Sequence, residues 1–289
     1  MGGVGDIRTV GLVLHPRRDA REPIDGILRW AADRGVDVVG LPDEVARIDA
    51  SATAVPADEL AKCSELIVSL GGDGTMLRAM RLTIDSDVPV LGVNLGRLGF
   101  LAEVDVPDLP AALTAVDAHD YSVEGRTAVE ACFLGHSKLA FNDIALIRVP
   151  GHGSAAVGLR VEGQPFVRYA ADAVVVSTPT GSTAYAFAAG GPIVSPRTQG
   201  LLVVPVAPHS AFNRALFLSC DESLTLQVLP SSSRLVIEVD GEVAGEVCEG
   251  DEVDIVVHVD AGRVVRLGRT TFYERARRKL GLTGSTQLG

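Results

Sequence analysis

The sequence predicts an α/β plus all-β protein: an N-terminal doubly wound parallel-sheet domain, then a C-terminal antiparallel β-sandwich domain. Three observations carry that reading. Up to about residue 120, continuous apolar runs alternate with helix-period segments. Beyond it, short strand-like runs come at close spacing, joined by Glu162-Gly163, Asp240-Gly241, Glu249-Gly250-Asp251 and Ala261-Gly262. The composition, 47% hydrophobic with 31 glycines and 4% aromatics, suits packed layers with many tight loops. Strands that are apolar throughout belong in a parallel sheet covered on both faces, and Asp-Gly-type steps between alternating runs belong in hairpins. The expected division is residues 1–120, residues 121–268, and a C-terminal helical segment, 269–289, that docks back on the N-terminal domain.

Taken in order, Thr9–Leu14 is a β-branched strand stopped by His15-Pro16. Pro23–Ala32 has helical spacing, with Ile24, Ile27, Leu28 and Ala31 on one face and Pro23 in the first turn. Val36–Leu41, Leu66–Leu70 and Val88–Val93 are further strands, and Thr75–Leu82 is the helix after the middle one. The later strands are expected over Lys138–Ile147, Ala156–Val161, Asp172–Ser177, Ser223–Leu229, Leu235–Asp240 and Val253–Val259. Thr270–Leu280 reads as a basic amphipathic helix with a solvated Arg275, Arg277, Arg278 and Lys279.

Charge and cysteine usage exclude several classes of function. A net charge of −11 repels nucleic-acid backbones, and the aromatics needed for base stacking are scarce. Cys63, Cys132, Cys220 and Cys248 form no CxxC pair, and the six histidines, His152 among them, show no metal-ligand spacing. No disulfide framework and no protein-built metal site are expected. Met1–Asp6 lacks the pattern of a secretory leader, and no apolar run approaches ~18 residues. A cytoplasmic protein without membrane contact is the expectation.

Chemistry concentrates in four places. Gly71-Gly72-Asp73-Gly74-Thr75 joins a buried strand to a helix. Its glycines let backbone N–H groups approach an anion, and the helix start adds unpaired donors. Thr75 is expected to cap the helix. Asp73 would repel a bare phosphate, so it is expected to hold a metal or to accept the proton of a hydroxyl being phosphorylated. Asn94-Leu95-Gly96-Arg97-Leu98-Gly99-Phe100-Leu101 follows the next strand and belongs at the same sheet edge. Ser177 to Pro192 is a hydroxyl-rich loop, with Thr178, Thr180, Ser182 and Thr183, running into an alanine-rich helix that ends at Gly190-Gly191. It offers neutral hydrogen bonds, with Tyr185 as a ring face, to a nucleoside. Phe141-Asn142-Asp143 and Asp172 complete the set, an amide suited to adenine and carboxylates suited to ribose hydroxyls. Thr83-Ile84-Asp85-Ser86-Asp87 echoes a sugar-kinase motif but is read as a helix-to-strand connection.

In this order the motifs resemble the bacterial NAD kinase family, over Arg8 to Leu280. GGDGT alone is shared with lipid kinases and phosphofructokinases; NLGRLGFL followed by STPTGSTAYAFAAGGP is far more specific. The resemblance implies transfer of the γ-phosphoryl of ATP, or of polyphosphate, to the adenosine 2′-hydroxyl of NAD. Magnesium would arrive with ATP, and the protein would be a homodimer or homotetramer. It implies Asp73 as proton acceptor and Gly71, Gly72, Gly74 and Arg78 beside the phosphates. Asn142, Asp143, Asp172, Thr180, Thr183, Ala184, Tyr185, Ala186, Phe187, Ala188 and Glu242 would be nucleotide-binding, with Asp172 often reaching a neighbouring subunit's site. The chain departs from the family at Asp143 (usually Glu), at Ala173 (usually Gly), at Ala170 (often Arg or Lys) and at Glu242 (often an amide). Those departures motivate an alternative, a divergent paralogue that senses NAD(P) or phosphorylates another nucleotide; a lipid kinase is the remaining one.

Overall fold

The structure, a computed structural model, describes residues 7–47, 51–96, 99–151 and 153–282. Met1–Asp6, Arg97, Leu98 and His152 lie outside the described residues. The chain divides into two compact units, one running to Gly125 and resuming at Gly262, the other spanning Arg126–Ala261.

The first unit is built on strands β1 (Thr9–Leu14), β2 (Asp37–Gly40), β3 (Thr53–Ala54), β4 (Leu66–Gly71), β5 (Val90–Asn94) and β6 (Val104–Asp105). Helices α1 (Arg21–Ala32), α2 (Pro42–Val45), α3 (Ala57–Leu60), α4 (Asp73–Leu82) and α5 (Leu109–Asp117) lie between and after them. The strands pair in the order β3-β2-β1-β4-β5-β6, every pair parallel. Alternate residues of β1 serve opposite faces. Val10, Leu12 and Leu14 share a core cluster with Ile24, Ile27 and Trp30 of α1 and Leu109, Ala112, Leu113 and Val116 of α5. On the other face, a Cβ at Gly11 would overlap Ile67 and crowd Ser64 and Leu60 of the α3 region. Helices thus cover both faces, as the unbroken apolar strands predict. β5 starts at Val90 rather than Val88, because Pro89 has no N–H to give the ladder and offers only its carbonyl, to Ile67. The strand order reverses between β1 and β4, the switch point where sheets of this kind open a crevice.

The second unit contains most of β7 (Ser122–Phe133), then β8 (His136–Ala140), β9 (Asp143–Arg148), β10 (Ala155–Val161), β11 (Gln164–Ala171), β12 (Ala173–Ser177) and the short helix α6 (Tyr185–Ala188). β13 (Gly200–Val206), β14 (Leu216–Ser219), β15 (Leu224–Val228), β16 (Leu235–Val239), β17 (Glu242–Val247) and β18 (Glu252–Arg266) follow. One antiparallel sheet runs β14-β13-β12-β9-β16-β17. A second runs β11-β10-β15-β18, with β7 joining β18 to β8. One apolar cluster draws Ile144, Val174, Val203 and Ile237 from the first sheet and Val157, Leu226, Val253 and Val129 from the second. That shared core makes the unit a sandwich. Glu162-Gly163 and Asp240-Gly241 turn with both residues at positive φ (51° and 71°, 49° and 82°), the backbone a two-residue hairpin requires.

Three local expectations are corrected. Ala261-Gly262 is no turn: β18 runs through it, and Asp260, at φ 54°, absorbs the irregularity. The expected run Lys138–Ile147 breaks at Phe141-Asn142 into β8 and β9, because Asp240 captures the backbone there. The last helix, α7 (Phe272–Lys279), carries a full capping box between Thr271 and Glu274. Its basic residues are not all solvated, since Arg275 is buried.

Candidate functional site

The glycine turn begins where β4 ends. Gly71 is buried, and a Cβ there would overlap the Thr75 side chain, so only glycine fits. α4 starts two residues earlier than predicted, with Gly72 as N-cap in an extended conformation and Asp73 in the first helical turn. Thr75 is therefore buried inside the helix, not its cap. A glycine N-cap has no side chain to bond the first-turn amides, and Gly72 itself has open space around its Cα. Gly74 is exposed beside it.

Asp73 is held from three sides. Its Oδ2 accepts the Phe100 N–H and its Oδ1 the Leu101 N–H, each at 3.0 Å. Lys279, at the end of α7, donates Nζ to Oδ2 at 3.1 Å and lies 4.3 Å from the Phe100 ring centroid. A Cβ at Gly99 would overlap the Asp73 carboxylate, so the second glycine loop is shaped around this side chain. The carboxylate remains 27% exposed, and three of its roughly four lone-pair positions are taken. It can accept one further hydrogen bond without surrendering any of these. Leu95 N–H donates to Gly71 O at 3.0 Å, which ties the two glycine loops together at one sheet edge, as the sequence predicts.

Arg78 faces a different neighbour. Its Nη2 donates to Leu14 O at 2.6 Å and to Glu44 Oε1 at 2.5 Å, while Glu44 Oε2 accepts Leu14 N–H at 2.7 Å. The buried Glu44 therefore offsets the charge that the sequence assigned to the phosphates.

The second unit assembles the nucleoside-type motifs around a turn. Asp240 accepts the backbone N–H groups of Phe141, Asn142 and Asp143, at 3.1, 2.7 and 3.3 Å. Asn142 O in turn accepts Thr178 N–H at 2.9 Å and Ser177 Oγ–H at 3.1 Å. A Cβ at Gly181 would overlap Asn142 O, which fixes the loop against it. Among the described residues the Asn142 side-chain amide has no bonded partner, so it is available to a ligand. Asp143 is buried and accepts the Tyr185 N–H; burial first, then the Asp240 and Glu238 charges, push its carboxyl up to about 7.

The hydroxyl-rich loop is less free than its composition suggests. Thr178 Oγ1 donates to Phe141 O at 2.6 Å and accepts Gly181 N–H at 3.0 Å. Ser182 Oγ donates to Pro179 O at 2.7 Å and accepts Val194 N–H at 3.0 Å. Both are wholly buried structural pins. Thr180 is buried, and Thr183 and Ala184 are half-buried. Ala186 packs with Ala145, Val175, Leu202 and Val204, whereas Phe187 and Ala188 are exposed. Burial raises the Tyr185 phenol above its usual range. α6 ends as predicted: Gly190 at φ 86°, with Gly191 N–H returning to Ala186 O at 2.8 Å.

Asp172 pairs within its own chain, accepting Arg148 Nε–H at 2.5 Å, and that guanidinium holds its carboxyl below the usual range. Glu242 opens β17 in an exposed position. Sequence reasoning missed Asp240, Lys279 and Arg148. Each acts across a long stretch of chain, and only the Asp-Gly hairpin signal at Asp240-Gly241 marked one of them.

The chain also has relatives among known proteins. Residues 10–121 match the family described as the ATP-NAD kinase N-terminal domain, and residues 141–267 the ATP-NAD kinase C-terminal domain. The chain is similar to NAD kinase 1 of Streptomyces avermitilis, at 38% identity over 96% of this chain and 88% of the relative. It is also similar to an NAD kinase of Heliobacterium modesticaldum, at 39% over 94% and 98%. Among solved structures, yeast NADH kinase complexed with NADH has a TM-score of 0.86 at 26% identity, covering 98% of this chain and 90% of that one. An NAD kinase from Archaeoglobus fulgidus in complex with ATP has a TM-score of 0.72 at 25% identity, covering 94% and 97%.

Proposed function

The chain belongs to the NAD kinase family and is a phosphotransferase acting on NAD; beyond that, we propose that it moves the γ-phosphoryl of ATP, or a terminal phosphoryl of polyphosphate, onto the adenosine 2′-hydroxyl to form NADP. The observation that carries the reading is Asp73. It sits in the first turn of α4, oriented by two loop amides and Lys279, and has one acceptor position left. Such a carboxylate accepts the acceptor hydroxyl's hydrogen bond and then its proton as the oxygen attacks phosphorus. The open first-turn N–H groups of α4 hold phosphate oxygens, and the Lys279 ammonium offsets charge beside them. The Asn142 amide, Asp143, Thr180, Thr183 and Tyr185 bind the dinucleotide, with Asp172, Ala184, Phe187, Ala188 and Glu242 completing that surface and the buried Ala186 packing beneath it.

No group of three or more His, Cys, Asp or Glu capable of holding a metal occurs among the described residues. Magnesium enters this proposal only as the counter-ion carried by the donor's phosphates. No described helix is long and apolar enough to cross a membrane. We place the enzyme in the cytoplasm as a homodimer or homotetramer, on the strength of its family and its free cysteines.

A coupled assay crossing NAD and NADH against ATP and polyphosphate tests the reading. NADP or NADPH should accumulate with at least one donor. Tight NADP binding without transfer from either donor would replace the kinase with a sensor, and radiolabel from ATP passing only to diacylglycerol offered beside NAD would replace it with a lipid kinase.

A further inference from the structure

We propose that the groove between α1 and α5 binds a basic α-amino acid, and that its occupancy is felt at Asp73. The groove lies wholly within the first unit, between the two helices that cover one face of the parallel sheet. It holds about 330 Å³. That is the small end of the ~300–1,000 Å³ range of ligand pockets, so it suits a metabolite rather than a partner's helix. Pro23, Trp30, Val106, Leu109 and Leu113 supply its apolar walls.

Gly26 opens the groove. It sits mid-helix in α1, where glycine is less favourable than alanine. Packing does not require it: a Cβ there would meet only Leu109 Cδ2, at 3.9 Å. At Gly11 and Gly71 a Cβ would collide with its neighbours, whereas at Gly26 it would only fill the notch. The end of the groove near Trp30 is fixed. Asp117 accepts Trp30 Nε1–H at 3.1 Å and Arg34 Nε–H at 2.8 Å, so the Arg34 charge is already offset.

Three charges are left over. Glu22, Arg29 and Asp33 line the groove, and among the described residues none of their side chains is hydrogen-bonded or ion-paired. Their spacing puts them on one face of the helix, with Gly26 between Glu22 and Arg29. Arg29 and Asp33 stand one turn apart, and Glu22 lies about 10.5 Å before Arg29 along the axis. The order is acid, notch, base, acid. Its complement is cation, apolar stem, carboxylate, ammonium, which is the order of groups in a basic α-amino acid. The carboxylate faces the Arg29 fork and the α-ammonium faces Asp33. The aliphatic stem crosses the notch at Gly26 against Leu109, and the terminal cation reaches Glu22. A simple anion would meet two carboxylates for one guanidinium. An uncharged apolar compound would desolvate all three charges without pairing any.

The far wall leads toward Asp73. Val106 and Leu109 come directly after β6, and the short stretch back to Leu101 ends at the N–H that Asp73 accepts. β6 is tied to the second glycine loop as well: Asp105 Oδ1 accepts Asn94 Nδ2–H at 3.1 Å, and Asn94 Oδ1 accepts Gly96 N–H at 3.2 Å. A ligand wedged against Val106 and Leu109 therefore loads the segment that orients the Asp73 carboxylate.

The test is calorimetric titration of L-lysine, L-norleucine and cadaverine into the full chain at about 0.15 M salt, where distant charges are screened. L-lysine should bind saturably and shift the emission of Trp30, the chain's one tryptophan. E22Q should weaken L-lysine about threefold to tenfold and leave L-norleucine, which lacks the terminal cation, unchanged. R29Q should weaken L-lysine and L-norleucine about tenfold and leave cadaverine, which lacks the carboxylate, unchanged. G26L should abolish binding in a chain whose thermal midpoint is retained; if the midpoint falls, the pattern across E22Q and R29Q decides instead. No saturable binding of L-lysine, or affinities that none of these variants changes, overturns the site. Cadaverine binding as tightly as L-lysine overturns the amino-acid assignment. Saturating L-lysine should change kcat for NADP formation in the wild type and not in G26L, and an unchanged wild-type kcat overturns the link to Asp73. The calorimetry needs no turnover, so the site stands or falls apart from the kinase reading.

Discussion

Asp73 in the first unit and Asp240 in the second make the same mechanical device in opposite electrical surroundings. Each carboxylate gathers successive backbone N–H groups of a loop remote in sequence: Phe100 and Leu101 in one case, Phe141, Asn142 and Asp143 in the other. Asp73 then meets an ammonium, Lys279, and keeps an exposed edge. Asp240 sits against a second acid, Asp143, whose carboxyl is driven upward by burial and by that charge. The clamp alone shapes a loop. What stands beside it decides whether the carboxylate is offered to a substrate or serves as scaffold.

The sharpest way to break the contrast is at Asp73. Asp73→Asn keeps an acceptor oxygen for the loop but no base, so kcat should fall by ~10²–10⁴ with the fold intact. Near-normal turnover in a folded variant would reduce Asp73 to scaffold. At the other clamp, Asp240→Ala strands three N–H groups and places alanine at φ 49°. It should cost about 2–4 kcal/mol in chemical denaturation and weaken NAD binding, with turnover at saturating NAD less affected.

A third experiment separates the clamps by pH. Burial, then the Asp240 charge, push the native Asp143 carboxyl from its ordinary 3.8 up to about 7, so between those values the folded state binds more protons than the unfolded one. Stability then falls as pH rises through that window. Asp143→Asn should exceed wild type by on the order of 1–3 kcal/mol at pH 8, with the gap closing near pH 4. A constant gap would mean that Asp143 is not the titrating group.

The smallest effect is expected at Lys279→Gln, which strips the first clamp of its cation. The pair is partly exposed, so stability should change by less than about 1 kcal/mol. A several-fold drop in kcat at unchanged KM for NAD would assign Lys279 to the reaction, and an unchanged kcat would leave it as a tether for α7.

How much of this was legible depended on the range of the interaction. The apolar β1 and β4, the glycine turns and the Gly190-Gly191 helix stop are local codes and read directly. Thr75 misled because hydroxyl side chains and glycines both cap helices, and here Gly72 took the role three residues earlier. The Thr271–Glu274 capping box was written in the sequence as T-x-x-E and was overlooked. Lys279 with Asp73, Asp240 with Asn142 and Arg148 with Asp172 obey no local period, so nothing in the chain near either partner announces the other. Arg78 looked available because its partner Glu44 lies 34 residues away on a separate helix.

The return of the chain into the first unit at Gly262 has a consequence for synthesis. Val265 belongs to the core around β1 and α1, Glu103 accepts the N–H groups of Leu267 and Arg269, and Lys279 reaches Asp73. Translation delivers the phosphate turn early and its last fastenings late. By Ala261 the whole β-sandwich has been synthesised while the older unit still waits for these pieces. Any stop codon that removes α7 would leave Asp73 without its ammonium, so the finished clamp also certifies that translation ran to the end of that helix.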